Sequence, residues 1–334
     1  MHMADALVSP ATGLAMWGAS AALIAYGSHK VSKEVDDARV PLMGVTAAFV
    51  FATQMINFAI PGTGSSGHLG GGLLLAALLG PHAGFLTMAS VLTVQALLFA
   101  DGGLLALGCN IFNLGFFPCF VAYPLIFRPL LGAHSGHGRL VTASLAAAVT
   151  GLLLGALAVV GQTVASGITE LPFIKFTVVM LPIHLAIGLV EGGATAAVLL
   201  FIRQARPDIA GRSTANNISY RKVVVGLLAT ALLTGGVASW FASSDPDGLE
   251  WAIEHVSEGR QLSSPDSTLH TTLSSAQEET ALLPDYDLGT DDGEATVDAG
   301  TTLSGVVGAL VTLLLAGLTA WMLNRRRQQE PEAP

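Results

Sequence analysis

Met1 and His2 open the chain, and together they offer three nitrogens to one metal ion. The Met1 α-amine and the His2 backbone nitrogen close a five-membered chelate ring. The His2 backbone nitrogen and His2 Nδ1 close a six-membered one. An ion that favours nitrogen in a square plane, such as Ni(II) or Cu(II), suits this arrangement. Three donors leave one corner open, so a fourth nitrogen has to come from elsewhere in the chain. The competing reading is an incidental histidine on a frayed terminus. The chelate also requires Met1 to be kept with a free amine, which the bulky imidazole beside the cleavage point favours.

The elements that must position these nitrogens lie in a membrane. Of 334 residues, 51% are hydrophobic and only 12% are charged, whereas soluble domains carry about 25% charged residues. Long apolar runs recur, so the expected fold is an all-α integral membrane protein of the cell membrane. The runs lie at about 11–29, 40–59, 69–80, 82–100, 103–127, 140–165, 174–202, 222–242 and 303–323. With nine spans, 13 of the 15 Lys and Arg residues fall on one side, leaving Lys175 and Arg260 on the other. The positive-inside rule then sets the N-terminus outside and the C-terminus in the cytoplasm. No Lys or Arg precedes Lys30, so no cleavable signal peptide is expected. Met1 and His2 would then stay on the mature protein and face outward.

The chain divides into a seven-helix bundle at 1–205, a cytoplasmic linker at 206–221 and a two-span module at 222–334. The last two spans flank an acidic outer loop at about 243–302, with 14 Asp and Glu against Arg260 alone. That loop is rich in Ser and Thr and poor in aromatics, so much of it is expected to be disordered. It can attract cations electrostatically, but its individual carboxylates read as solvated groups rather than ligands. Cys109 and Cys119 sit in an apolar run without Cys-x-x-Cys spacing and read as packing residues. No internal repeat is visible, which speaks against an inverted-repeat transporter.

The fourth nitrogen is sought among the outward connections. Residues 60–68 read Ile-Pro-Gly-Thr-Gly-Ser-Ser-Gly-His. Such a glycine-rich stretch can fold into a tight, buried re-entrant turn, and His68 ends it. His82 lies on the cytoplasmic side, His184 lies inside a span, and His255 and His270 lie in the acidic loop. By topology, His68 is the histidine on a short, structured outer connection. The same glycines lack the Lys-Ser/Thr ending of a phosphate loop, so the chain is not expected to bind nucleotide.

Several stretches now resemble a known family: Met-His-Met-Ala-Asp-Ala-Leu at 1–7, SSGHLGGGLLLAALLGPHAGF at 65–85, VLTVQALLFADGGLLALGCNIFNLG at 91–115 and HLAIGLVEGGATA at 184–196. They look like the substrate-capture membrane subunit of nickel/cobalt energy-coupling-factor ABC transporters, over about residues 1–205. Asp-Pro-Asp-Gly-Leu-Glu-Trp at 245–251 is similar to the small accessory subunit of the same transporters. The chain thus resembles a fusion of the two. The resemblance implies capture of Ni(II), or alternatively Co(II), as transported substrate, by Met1, His2 and His68. It implies a transmembrane coupling subunit and two cytoplasmic ATPase subunits as partners, in membrane lipid, with no nucleic acid involved. ATP hydrolysis would belong to those partners, so the chain is expected to be a transporter subunit and not an enzyme. The start Met-His-Met-Ala-Asp-Ala is closer to the nickel-associated members than to the cobalt branch.

Polar residues inside spans point to sites or partners. Asp101, Asn110, Gln54 and Asn57 are candidates for orienting His68 and the N-terminus, while Asn113 reads as a packing residue. His184 and Glu191, seven residues apart, share a helix face and read as a structural or gating pair. Ala48-x-x-x-Ala52 and Gly151-x-x-x-Gly155 are small-residue faces for close helix packing, and the first resembles the alanine motif that meets the coupling subunit. A membrane metalloenzyme is disfavoured: catalytic metals keep an open position, and no acid or base sits beside His68. A passive channel is disfavoured because a closed chelate would trap its ion.

Overall fold

A computed structural model describes residues 1–34, 39–132, 136–205, 217–259, 267–288 and 299–329. Every expected apolar run contains a helix, because a segment without water must satisfy its backbone N–H and C=O groups internally; the run at 40–59 leaves its helix after Gln54 and ends in a short strand. In chain order the helices are α1 (Pro10–Glu34), α2 (Arg39–Gln54), α3 (Gly72–Leu79), α4 (Pro81–Phe99), α5 (Leu107–Leu131), α6 (His137–Ser166), α7 (Phe173–Ala205), α8 (Asn217–Gly236), α9 (Gly248–Ser257), α10 (Thr268–Thr280) and α11 (Ala299–Gln329). Of these, α4, α5, α6, α7 and α11 are long and apolar enough to cross a membrane. The short third run forms an eight-residue helix. It meets α4 at Gly80, whose φ of +87° is reached most easily by a residue without Cβ. Most of the linker, residues 206–216, lies outside the described residues.

Close backbone approach sets the helix packing. A Cβ at Gly192 of α7 would fall 2.6 Å from Leu145 Cα of α6, and one at Gly188 would fall 2.8 Å from Val149 Cα. These glycines let α6 and α7 pack along much of their length. Gly151 and Gly155 face α5 instead, against Pro118 and Asn113. Within α5, residues Phe112–Phe127 wind as a π-helix around Pro118 and Pro124. The wider turn accommodates two residues that cannot donate to the helical ladder.

Two expectations need correction. Ala48 and Ala52 lose all exposure inside the chain itself, on a helix flanked by α4, α8 and α11. On the same helix, Gly44 approaches Leu313 O of α11 and Phe51 meets Gly308. The chain's own C-terminal helices therefore pack on α2, and the two alanines offer no open face to a separate subunit.

The acidic loop is also more ordered than its composition suggests. It contains α9, α10 and a 3-10 turn at Pro284–Tyr286. Asp247 and Glu250 form a capping box at the start of α9, and Ser267 caps α10, satisfying backbone donors that would otherwise be orphaned. These helices then dock on the bundle. His270 Nε2 lies 3.0 Å from Val8 O and 3.2 Å from Asp5 O. Gln277 donates to Ala96 O and Gly102 O. Residues 260–266 and 289–298 of the loop lie outside the described residues.

Candidate metal centre

The N-terminus is held along its length. The Met3 N–H donates to Asn110 Oδ1 at 2.8 Å, while Met3 O accepts from Asn110 Nδ2 at 3.2 Å and from Gly103 N at 2.9 Å. Asp5 Oδ1 accepts from Ala106 N at 2.9 Å. Met1 is buried, and its ammonium lies 2.9 Å from Asp247 Oδ2. Asn110 therefore positions the N-terminal segment through the Met3 backbone. Asn113 pairs with Gln162 through two amide hydrogen bonds, consistent with a packing role.

The glycine-rich loop forms a hairpin. Strand β1 (Phe58–Ile60) pairs antiparallel with β2 (Ser65–Gly67). The tip at 61–64 is largely exposed and β2 is buried, so burial is confined to the stem. Ser66 N donates to Pro246 O at 2.8 Å and Ser66 Oγ to Asp245 O at 2.8 Å. The Asp-Pro-Asp-Gly-Leu-Glu stretch thus lies along β2 immediately before His68. Gly67 is required there, because a Cβ would meet Ile187 Cγ1 at 2.5 Å.

Beyond His68, the Gly70 peptide is held on both sides. Gln54 Nε2 donates to Gly70 O at 2.8 Å, and Gly70 N donates to Glu191 Oε2 at 2.8 Å. Gln54 in turn accepts from Gln95 Nε2 at 2.9 Å. Gln54 therefore fixes the loop that carries His68. Asn57 makes no side-chain hydrogen bond to either histidine: Asn57 Oδ1 is buried without a partner among the described residues, and Asn57 O accepts from Ser243 N. Replacing Glu191 by Leu leaves a buried Gly70 N–H unpaired, and a loss of about 1–3 kcal/mol of stability is expected. Glu191→Gln keeps an acceptor oxygen and should lose less. Equal melting temperatures for the two variants would show that this carboxyl does not hold the loop.

These supports bring the two histidines together. The His2 and His68 rings stack with centroids 5.1 Å apart and planes within 17°. His2 Nδ1 lies 3.3 Å from Asp101 Oδ1, and Asp101 Oδ2 accepts from the Tyr286 hydroxyl at 2.5 Å. His68 Nδ1 lies 3.2 Å from Leu69 O. A carbonyl only accepts, so that contact puts the proton on Nδ1 and leaves Nε2 as a lone-pair donor. Burial lowers the His68 pKa to about 3, helped by the N-terminal ammonium and His2. Burial also lowers the His2 pKa, against the opposing pull of Asp101. Burial alone would raise Asp247, but the ammonium beside it holds its carboxyl well below the usual range. Both imidazoles are thus neutral at neutral pH, the form a metal requires.

No three His, Cys, Asp or Glu side chains gather closely enough to hold a metal among the described residues. A centre here depends on main-chain nitrogens and the terminal amine. Asp247, Gln95 and Tyr286 were not singled out from the sequence. A capping-box pattern was readable in Asp-Gly-Leu-Glu at 247–250, but it marks a helix start and says nothing of a contact 246 residues away.

Residues 2–209 match the family described as the cobalt uptake substrate-specific transmembrane region, CbiM, and residues 221–325 match the PDGLE domain. A putative fused nickel transport protein NikMN of Archaeoglobus fulgidus is 32% identical over 94% of this chain and 96% of its own. A probable fused nickel transport protein LarMN of Lactiplantibacillus plantarum is 30% identical over 94% of this chain and 96% of its own. A crystal structure of a transition metal transporter superposes with a TM-score of 0.55 at 31% identity, over 66% of this chain and 97% of that one. The chain belongs to the CbiM family of substrate-specific transmembrane proteins, as a multi-pass membrane protein fused to a PDGLE accessory part.

Proposed function

We propose that this protein captures Ni(II) from outside the cell through four nitrogens and delivers it for ATP-driven uptake. The donors are the Met1 amine, the His2 backbone nitrogen, His2 Nδ1 and a His68 ring nitrogen, for which Nε2 is the free candidate. It acts as a transporter subunit and not as an enzyme. A transmembrane coupling subunit and two cytoplasmic ATPases supply the energy. The observation that carries this reading is the stacking of His2 on His68 beside a terminal amine buried on Asp247. Two carboxylates hold two of the donors, and the ion displaces both contacts as it binds. Ni(II) with one deprotonated amide carries a single net positive charge. Asp101 and Asp247 stay nearby to stabilise that charge in a site largely closed to water.

Nickel is favoured because the two relatives aligned over 94% of the chain are named as fused nickel transport proteins. Co(II) is the second reading, favoured by the cobalt description of the family. Both ions accept imidazole nitrogen, and the Irving–Williams order prefers nickel only modestly.

Competition binding with Ni(II) and Co(II) on untagged protein tests the proposal. One ion per chain is expected, with nickel the tighter. His68→Ala removes one corner of the square and is expected to weaken Ni(II) by about a hundredfold or more, about 2.7 kcal/mol. Unchanged affinity in that variant rules out the four-nitrogen site.

A further inference from the structure

His184 is a buried nitrogen ligand without an assigned task. It lies on α7 and is 1% exposed. His184 Nδ1 lies 2.8 Å from Met180 O. Because a carbonyl only accepts, Nδ1 carries the proton and Nε2 keeps its lone pair. That Nε2 is buried with no hydrogen-bonding partner among the described residues. An unpaired buried acceptor costs about 1–3 kcal/mol, so its presence calls for a use.

Its surroundings suggest one. A cavity of about 10 Å3 is lined by His184 together with Met1, His68, Gly70 and Asp247. That is room for about one water-sized occupant. Gly248 closes the same space: a Cβ there would stand 3.5 Å from His184 Cε1. His184 and two of the proposed ligand residues, Met1 and His68, therefore border one small chamber.

We propose that His184 Nε2 is an axial exchange ligand for the captured ion. The inference rests on the square-planar reading above. Four-coordinate d8 ions in a square plane exchange ligands associatively: a fifth donor adds along the axis before an equatorial bond breaks. His184 supplies that donor from α7. The Ni–Nε2 bond forms, one bond to an equatorial nitrogen breaks, and nickel stays divalent throughout. When the departing donor is the His2 amide nitrogen, it takes one proton from water. His184 itself gives up no proton. A nitrogen acting in this way lowers the barrier for loading and release alike and leaves the equilibrium unchanged.

The test uses the full chain with a free N-terminus, purified in detergent and loaded with Ni(II). Release into excess EDTA is followed by the visible absorption of the nickel centre, and loading by its appearance. In His184→Ala, loading and release should both slow by about tenfold or more, with Kd changed by less than about twofold. His184→Gln fills the space with a polar chain that cannot offer an imidazole nitrogen, and it should behave alike, which guards against a folding defect in the alanine variant. Unchanged rates in both variants overturn the proposal. Weaker binding with faster release overturns it too, because that marks a permanent ligand or a structural residue. His68→Ala is measured alongside. If that variant keeps its affinity, the four-nitrogen reading has failed, and the failure is not that of His184.

Discussion

Adding a single residue ahead of Met1 is expected to raise the Kd for Ni(II) by about a thousandfold or more, about 4 kcal/mol. The added peptide bond turns the Met1 amine into an amide. That nitrogen can then bind only after losing an amide proton, and the new amine lies three atoms further away. The structure adds a steric reason. Met1 is buried, its methyl carbon lies near Gly155 and its ammonium sits 2.9 Å from Asp247 Oδ2. An extra residue has to displace the accessory module from that contact. Removing one partner of a buried ion pair costs about 3–5 kcal/mol, so the extended protein should also melt earlier. Asp247→Asn separates the two effects. It weakens the same ion pair but leaves the amine free, so it should lower the melting temperature while costing nickel affinity far less than the added residue does. A protein with its N-terminal amine blocked by acetylation that still binds one Ni(II) tightly would remove the amine from the ligand set.

The fold was largely legible, for a plain reason. Membrane helices must bond internally, so long apolar runs such as 140–165 and 174–202 reappear as α6 and α7 with shifts of only a few residues. Nothing comparable marks a tertiary contact. Asp247 reads as one more acid in an acidic, Ser-rich loop. Its pairing with Met1 depends on a strand-like run beside β2 that no local pattern announces. Composition also misjudged the loop, because α10 is mostly polar and docks through Leu269 and Leu273 and through hydrogen bonds to Val8, Ala96 and Gly102. The Ala48-x-x-x-Ala52 face was visible as a packing surface, but spacing cannot say which helix arrives. Here α2 is flanked by the C-terminal helices of the same chain.

The site divides in the same way. Chelate chemistry and topology singled out Met1, His2 and His68, and the structure brings the two rings within 5.1 Å. Their supports were only partly visible. Gln54 and Asn110 were candidates on polarity alone, and each acts through a backbone group: Gly70 O for Gln54 and the Met3 peptide for Asn110. Gln95 lies near the C-terminal end of the apolar helix α4 and is linked to the loop through Gln54. Such a chain of amides becomes apparent only when three separate segments are brought together.

Acidification is expected to weaken nickel binding by about a hundredfold per pH unit near pH 7, reflecting two protons released per ion. The count follows from the groups at the site. The Met1 ammonium must lose one proton before its nitrogen can bind, and the His2 amide must lose another. The imidazoles contribute none in this window. Burial and the nearby ammonium hold His68 down to about 3, and burial holds His2 below its ordinary value. Both are therefore already neutral before the ion arrives. Asp247 contributes none either, since the ammonium keeps its carboxyl ionised well below the usual range, and the metal cation that replaces the ammonium's proton also favours the ionised form. As pH falls, protons compete only at the amine and the amide, so affinity falls with a slope of two. Calorimetric titrations in buffers of different ionisation enthalpy measure that number directly. A count near three or four would mean that the imidazoles are charged in the unloaded protein. A count near one would mean that the amide keeps its proton, leaving His2 bound by its ring alone and the square without its central donor.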